Sequence, residues 1–230
     1  MKRIYLLTPF PDIISSYITE SILGRSEKRN LTSFCIKNLF DFSDSPHHRI
    51  DDYPFGGGAG MIIKPEPVFR AYDEIIKEIP NNAKIRVIFP TPDGQSFDQN
   101  MAYNLIDNDV FIFICGHYKG IDQRIRDELV TEEVSIGDYV ITGGELPALL
   151  ILDAMVRLVP GVLNNQESAE SDSFSSPLLD CPHYTRPEIF RGLESPSVLL
   201  SGDHENIRLW KKDQSELKTK IRRPDLWKKY

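Results

Sequence analysis

The run Val110-Phe111-Ile112-Phe113-Ile114-Cys115 is apolar at every position and stops at Gly116. A strand with one face in water alternates apolar and polar residues. A strand without that alternation is buried on both faces, as in a parallel sheet covered by helices. Parallel neighbours need crossover connections, and the surrounding sequence supplies them. Residues 4–7 (Ile-Tyr-Leu-Leu), 84–89 and 134–141 are further strand-like runs. Helical spacing runs from Pro11 to about Leu23, through Ile13, Ile14, Tyr17, Ile18 and Ile22. Residues 122–130 read as a second helix. A longer one carries Pro147 in its first turn and reaches about Val159, before Pro160-Gly161. Ser96 is placed to cap a helix with Asp98 and Gln99 in its early turn. The expected fold is α/β: a parallel sheet with helices on both faces. Ligands bind such sheets beyond the carboxyl ends of the strands. Gly94, Gly116, Gly120, Gly137, Gly143 and Gly144 cluster at those ends.

Other classes fall away quickly. At 230 residues the chain buries a core without disulfide or metal staples. No apolar run approaches the ~18 residues of a membrane span. The first residues meet Pro9 and Pro11 before any signal-peptide core forms. Three cysteines suit a reducing compartment, so a cytoplasmic location is expected. His47-His48 and Cys181-Pro182-His183 are too sparse for a zinc ligand set, and no structural metal is expected. The net charge of -7 is unevenly spread. Residues 204–230 hold nine Lys/Arg against four Asp/Glu, whereas the other 203 residues hold 18 against 30. An anionic partner at one end, or simply a solvated basic helix, accounts for that asymmetry. Residues 164–176 are polar and read as a linker. The expected organisation is a domain over 1–163, that linker, and a small all-helical domain over 177–230.

Three glycine-bearing segments are candidates for chemistry. Asp51-Asp52-Tyr53-Pro54-Phe55 leads into Gly56-Gly57-Gly58-Ala59-Gly60-Met61, where backbone is able to approach a ligand closely. No Lys-Ser/Thr follows, and no G-x-G-x-x-G follows a strand, so neither phosphate-loop fingerprint applies. Cys115-Gly116-His117-Tyr118-Lys119-Gly120-Ile121-Asp122 and residues 135–147 (SIGDYVITGGELP) are two strand-end loops. Together they present backbone N–H and C=O groups to a planar ligand such as adenine. Taken singly, each also fits ordinary turn chemistry. Arg157 lies four residues after Asp153 and also fits a helix-surface pair. Asp172 lies in the polar linker.

With residues 160–163 (PGVL), 179–187 (LDCPHYTRP) and 222–226 (RRPDL), these segments resemble the bacterial tRNA (guanine-N1)-methyltransferases across essentially the whole chain. That resemblance implies a SPOUT-type α/β domain with a C-terminal trefoil knot, and the small helical domain after it binding tRNA. It implies methyl transfer from S-adenosylmethionine to N1 of guanine 37, just 3′ of the anticodon. The partners implied are the tRNA anticodon stem-loop and a second copy of the chain, in a homodimer with a shared active site and no membrane. The donor site maps to Pro92, Gly94, Gly116, Tyr118, Gly120, Ile136, Gly137, Asp138, Tyr139, Val140, Ile141, Gly143 and Gly144. Asp172 and Arg157 match the catalytic pair, with Asp172 as general base. Asp51, Gly57, Gly58 and Gly60 match contacts to the target guanine. Magnesium is a possible further cofactor by the same resemblance, but Lys119 stands where the family usually has an acid considered for magnesium or substrate charge balance, and that departure counts against the metal. Rival readings are an RNA-binding protein without catalysis, which has no need of the Arg157/Asp172 pair, and a nucleotide-dependent oxidoreductase, whose dinucleotide fingerprint is missing.

Overall fold

The computed structural model describes residues 1–44, 48–163 and 172–230. The chain forms two compact units, Met1–Asn164 and Asn165–Tyr230. Most of the linker expected at 164–176 lies outside the described residues, as does His47.

The first unit is built on five parallel strands in the order β2-β1-β6-β5-β7. They are β1 (Lys2–Thr8), β2 (Thr32–Asn38), β5 (Ile85–Ser96), β6 (Val110–Ile114) and β7 (Glu132–Ser135). The central pairs keep a regular register, with Tyr5 opposite Ile112 and Val87 opposite Ile112 on the other side. Alternate residues of each strand enter two separate cores. Ile4, Leu6, Ile88, Phe111 and Phe113 point to one face. There they meet α1 (Pro11–Ile18), α2 (Ser21–Lys28), α4 (Gln99–Ile106) and α6 (Glu145–Val156). Tyr5, Leu7, Val87, Phe89, Ile112 and Ile114 point to the other, against α3 (Pro65–Glu78) and α5 (Gln123–Leu129). Phe111 and Phe113 are fully buried, each worth about 2–3 kcal/mol of transfer free energy. This is the two-faced parallel sheet the apolar run at 110–115 demanded. A two-stranded ribbon, β3 (Asp51–Asp52) with β4 (Ile62–Ile63), flanks it.

Several expected boundaries moved. The helix expected over 11–23 is two helices, because Ser21 takes a left-handed φ of 49° and redirects the chain. Strand β2 was not anticipated: Thr32, Ser33, Lys37 and Asn38 dilute its apolar signal, as an edge position allows. Asp98, not Ser96, caps α4 by accepting from the Met101 N–H at 2.8 Å. Ser96 instead ends β5. The strand expected over 134–141 stops at Ser135, and Gly137 follows with φ 139°. Among the described residues no helix is long and apolar enough to cross a membrane.

The second unit carries α7 (His204–Arg222), capped by Asp203, and the short α8 (Pro224–Trp227). It is not all-helical, as expected, but opens with a hairpin, β8 (Ile189–Phe190) against β9 (Leu193–Glu194). Arg191 and Gly192 turn it with φ 53° and 77°, the left-handed pair a two-residue hairpin needs. Thr219, fully buried on α7, accepts from the Leu179 N–H at 2.8 Å and ties the preceding segment to the helix.

Candidate active site

At the carboxyl ends of β5, β6 and β7 lies a cavity of about 170 Å³. Three segments wall it: 89–92, 116–120 and 134–144. Its form follows from backbone crossings that only glycine permits. The loop after β7 returns across the end of β6, where the Gly144 N–H donates to the Gly116 carbonyl at 2.7 Å. Gly143 pairs with His117 as an isolated antiparallel bridge. A Cβ on Gly144 would lie 2.7 Å from the Gly116 nitrogen and 2.9 Å from Cys115 Cα, so no side chain fits. Gly116 itself rests on the Phe89 ring.

Eleven of the thirteen residues mapped to the donor site line this cavity: Pro92, Gly116, Tyr118, Gly120, Ile136, Gly137, Tyr139, Val140, Ile141, Gly143 and Gly144. Two do not. Gly94 lies where β5 arches against β7, and a Cβ there would fall 2.4 Å from the Val134 nitrogen. Its role is strand crossing. Asp138 is exposed outside the lining. Among the described residues the backbones of Val140 and Ile141 make no hydrogen bond, and Val140 is 86 % exposed.

Two neighbours of the cavity carried no clear sequence signal. Glu145, the first residue of α6, is only 3 % exposed, and its Oε1 accepts from the Thr8 hydroxyl at 2.7 Å. The positive end of the helix dipole favours a carboxylate there. Burial, then Glu145, pushes the Cys115 thiol well above its ordinary value, so it stays protonated. His117 packs beside Phe10, ring centroids 4.9 Å apart, with a buried Nδ1 that has no hydrogen-bond partner among the described residues.

The loop of Gly56, Gly57, Gly58 and Gly60 stands beside the same strand end. All four glycines have positive φ, from 81° to 116°. The Lys119 N–H donates to the Met61 carbonyl at 2.9 Å, and Ile63 bridges to Ile121. Asp51, on β3, acts on Tyr118: burial first, then this carboxylate, raises the phenol's pKa. The donor-mapped and guanine-mapped loops are thus adjacent. Arg157 ends α6, its N–H donating to the Asp153 carbonyl at 3.3 Å, and is half-buried. Asp172 belongs to the second unit, and its backbone carbonyl accepts from the Ser175 N–H at 3.2 Å. In that unit Asp180, Cys181 and His183 bring three donor atoms within 4.8 Å of one another. Both Asp180 oxygens are already engaged, by the Cys181 N–H and by His183 Nε2, each at 2.7 Å.

Comparison with known proteins decides what such a site belongs to. The family model for tRNA (Guanine-1)-methyltransferase TrmD matches residues 1–229. This chain belongs to that family. A tRNA (guanine-N(1)-)-methyltransferase of Brevibacillus brevis is 50% identical over 227 residues, covering 99% of this chain and 92% of its own. One of Clostridioides difficile is 49% identical over 227 residues, covering 99% and 98%. The chain is a methyltransferase by family, and the rival non-catalytic and oxidoreductase readings lose their footing.

Proposed function

We propose that this enzyme transfers a methyl group from S-adenosylmethionine to N1 of guanine 37 in tRNA, in the cytoplasm. The observation that carries the reading is the joining of two loops at one strand end. The cavity of 116–120 and 136–144 abuts the glycine loop of 56–60 through Lys119 and Met61. A donor pocket and a place for an extruded base therefore share a wall.

The cavity suits the donor. Its floor is glycine backbone, its rim is apolar (Phe89, Pro92, Ile136, Val140, Ile141), and unpaired backbone groups at 140–141 suit the polar edge of an adenine. When bound, the donor supplies an electrophilic methyl on a sulfonium, so the protein needs no nucleophile of its own. The work left to the chain is to hold the guanine and move a proton. Neutral guanine carries a proton on N1, which blocks attack. Asp172 accepts that proton as general base. Arg157 stabilises the negative charge that then develops on O6. Gly57, Gly58, Gly60 and Asp51 hold the base, which must first leave its stack at a cost of a few kcal/mol. The products are N1-methylguanine, protonated Asp172 and the demethylated donor. The cavity lining holds no carboxylate and one lysine, so its residues do not make a magnesium site.

We further read the loop crossing at Gly116 and Gly144 as part of a trefoil knot, and the basic α7 region as a tRNA-binding element. A homodimer fits the exposed apolar face on the first unit: Ile13 and Tyr17 of α1, Leu146 and Leu150 of α6. A second copy would bring its own Asp172 to the pocket. The deciding experiment offers the enzyme an unmodified tRNA with guanine at 37 and labelled donor, followed by nucleoside analysis. N1-methylguanine in wild-type tRNA, and none when adenine replaces guanine 37, is the expected result. Methylation at another base or position overturns the reading.

A further inference from the structure

Lys119 is the one permanent cation among the residues lining the cavity, and no Asp or Glu accompanies it there. Its position is fixed from two sides. Its N–H is bound to the Met61 carbonyl, and its aliphatic stem lies over Gly60, where a Cβ would fall 2.6 Å from Lys119 Cγ. Gly60 thus leaves a seat for the lysine stem at the junction of the two loops. Five other cations of this unit, Lys37, Arg70, Arg86, Arg124 and Arg126, pair with carboxylates. Among the described residues Lys119 pairs with none. Its unit is acidic, with 23 Asp/Glu against 16 Lys/Arg over residues 1–164. A seated cation at the cavity, unpaired in an acidic unit, marks where an incoming anion is accepted.

We propose that Lys119 is a substrate-binding residue that pairs with a backbone phosphate of the RNA next to the target guanine. The inference rests on the function proposed above. Two anions enter this site under that reading: an RNA phosphate and the donor's carboxylate. The lysine's own contacts favour the phosphate, because both are made with the 56–61 loop rather than with 136–144. Lysine suits a single phosphate as a point charge on a flexible stem.

The test compares the full-length wild type with Lys119→Gln and Lys119→Arg. Affinity for an unmodified tRNA transcript is measured at several salt concentrations, and donor affinity by calorimetry. Lys119→Gln should weaken tRNA binding roughly five- to tenfold, the scale of one charge-assisted hydrogen bond. It should flatten the log–log salt slope by about 0.7, the share of one phosphate contact on a single strand. Donor affinity should stay within twofold, and Lys119→Arg should restore tRNA affinity. The side chain is exposed, so the variants fold. Unchanged tRNA affinity and slope in Lys119→Gln, with wild type binding tRNA normally, overturns this inference alone. Weakened donor binding with normal tRNA binding also overturns it, and reassigns Lys119 to the donor's carboxylate. A wild type that binds no tRNA overturns the functional reading as well.

Discussion

Arg126 on α5 reaches Asp93 in the arch of β5, Nη2 to Oδ2 at 2.7 Å, while the same guanidinium grips Glu133 of β7 at 2.6 and 2.7 Å. It also lies over the Phe89 ring, 5.6 Å from its centroid. One side chain therefore ties together two strand ends that wall the cavity. The Thr91 hydroxyl and then Arg126 lower the Asp93 carboxyl's pKa, and Glu133 and then Asp93 raise that of Arg126. Asp93 is 61% exposed, so the network is worth only about 1 kcal/mol. Arg126→Met keeps the apolar cover on Phe89 and loses the fork. We expect donor affinity to fall roughly fivefold through the loosened arch, with tRNA affinity unchanged. The sign of the pH dependence follows from the lowered carboxyl. Its stabilisation is present above the unfolded value of 3.8 and disappears as pH falls through the lower folded value. The stability gap between wild type and Arg126→Met should hold from neutral pH down to about 4 and close only as pH falls below 3.8 through the lower folded value; the share from Thr91 stays in both proteins. Denaturant melts across that range check it.

The glycines separate into two kinds, which a pair of variants distinguishes. Gly144→Ala puts a Cβ into the backbone of Gly116 and Cys115. Neither side of that crossing is able to yield. The expected result is a fall in stability of about 3 kcal/mol or more, or failure to fold. Gly57→Ala meets nothing within 4 Å, but its φ of 81° strains any L-residue by about 1 kcal/mol. We expect a folded protein with normal donor affinity and a raised KM for tRNA. A thermal melt and separate KM values for the two substrates distinguish them. Equal melting losses would remove the distinction.

These contrasts show where the sequence speaks and where it is silent. The run at 110–115 carries its own evidence, because an unbroken apolar strand has one stable environment. The edge strand β2 does not: Thr32, Ser33 and Lys37 are tolerated only because one side of β2 has no neighbour. The glycines at 116, 143 and 144 were legible as a strand-end cluster, and they line the cavity, but the reason for them was not legible. A motif shows that a Cβ is unwelcome, not whether ligand or chain stands in its place. At Gly94 it is chain, and the residue lies outside the cavity lining. Glu145 was invisible for the opposite reason. A Glu at a helix start is ordinary in sequence, and only its burial against Thr8 sets it apart. The hairpin at 189–194 escaped because four strand residues carry no periodicity.

The basic end of the chain can now be divided. Lys218 donates to the Asp180 carbonyl at 2.8 Å, and Arg223 pairs with Asp225 at 2.6 Å and lies over Phe174. Lys212 reaches Glu216 at 3.7 Å and Arg208 reaches Glu205 at 2.6 Å. Lys211, Lys220 and Arg222 are exposed and have no ion pair among the described residues. We expect the combined change of these three to Gln to reduce the salt slope of tRNA binding by about 2. Lys218→Gln should instead lower the melting temperature with little change in slope. Donor affinity should hold in both. Equal slopes in the triple variant would leave tRNA binding to other surfaces.

The general-base assignment makes the sharpest kinetic demand. Asp172→Asn keeps size and polarity and removes only the ability to take a proton. If Asp172 deprotonates N1, the variant should bind donor and tRNA normally. Its single-turnover rate should be lower by about 10²–10⁴-fold at neutral pH. The loss should then shrink as pH rises. Without a base on the protein, reaction waits for guanine to lose its N1 proton to solvent, and that fraction grows with hydroxide. The variant's rate should climb in proportion to hydroxide where the wild type is already flat. Arg157→Ala should behave differently. Its defect lies in charge stabilisation at O6, so raising the pH should not repair it. A pH series of single-turnover rates for the three proteins separates the roles. An Asp172→Asn defect that stays constant with pH would assign the carboxylate to positioning and leave proton removal to another group.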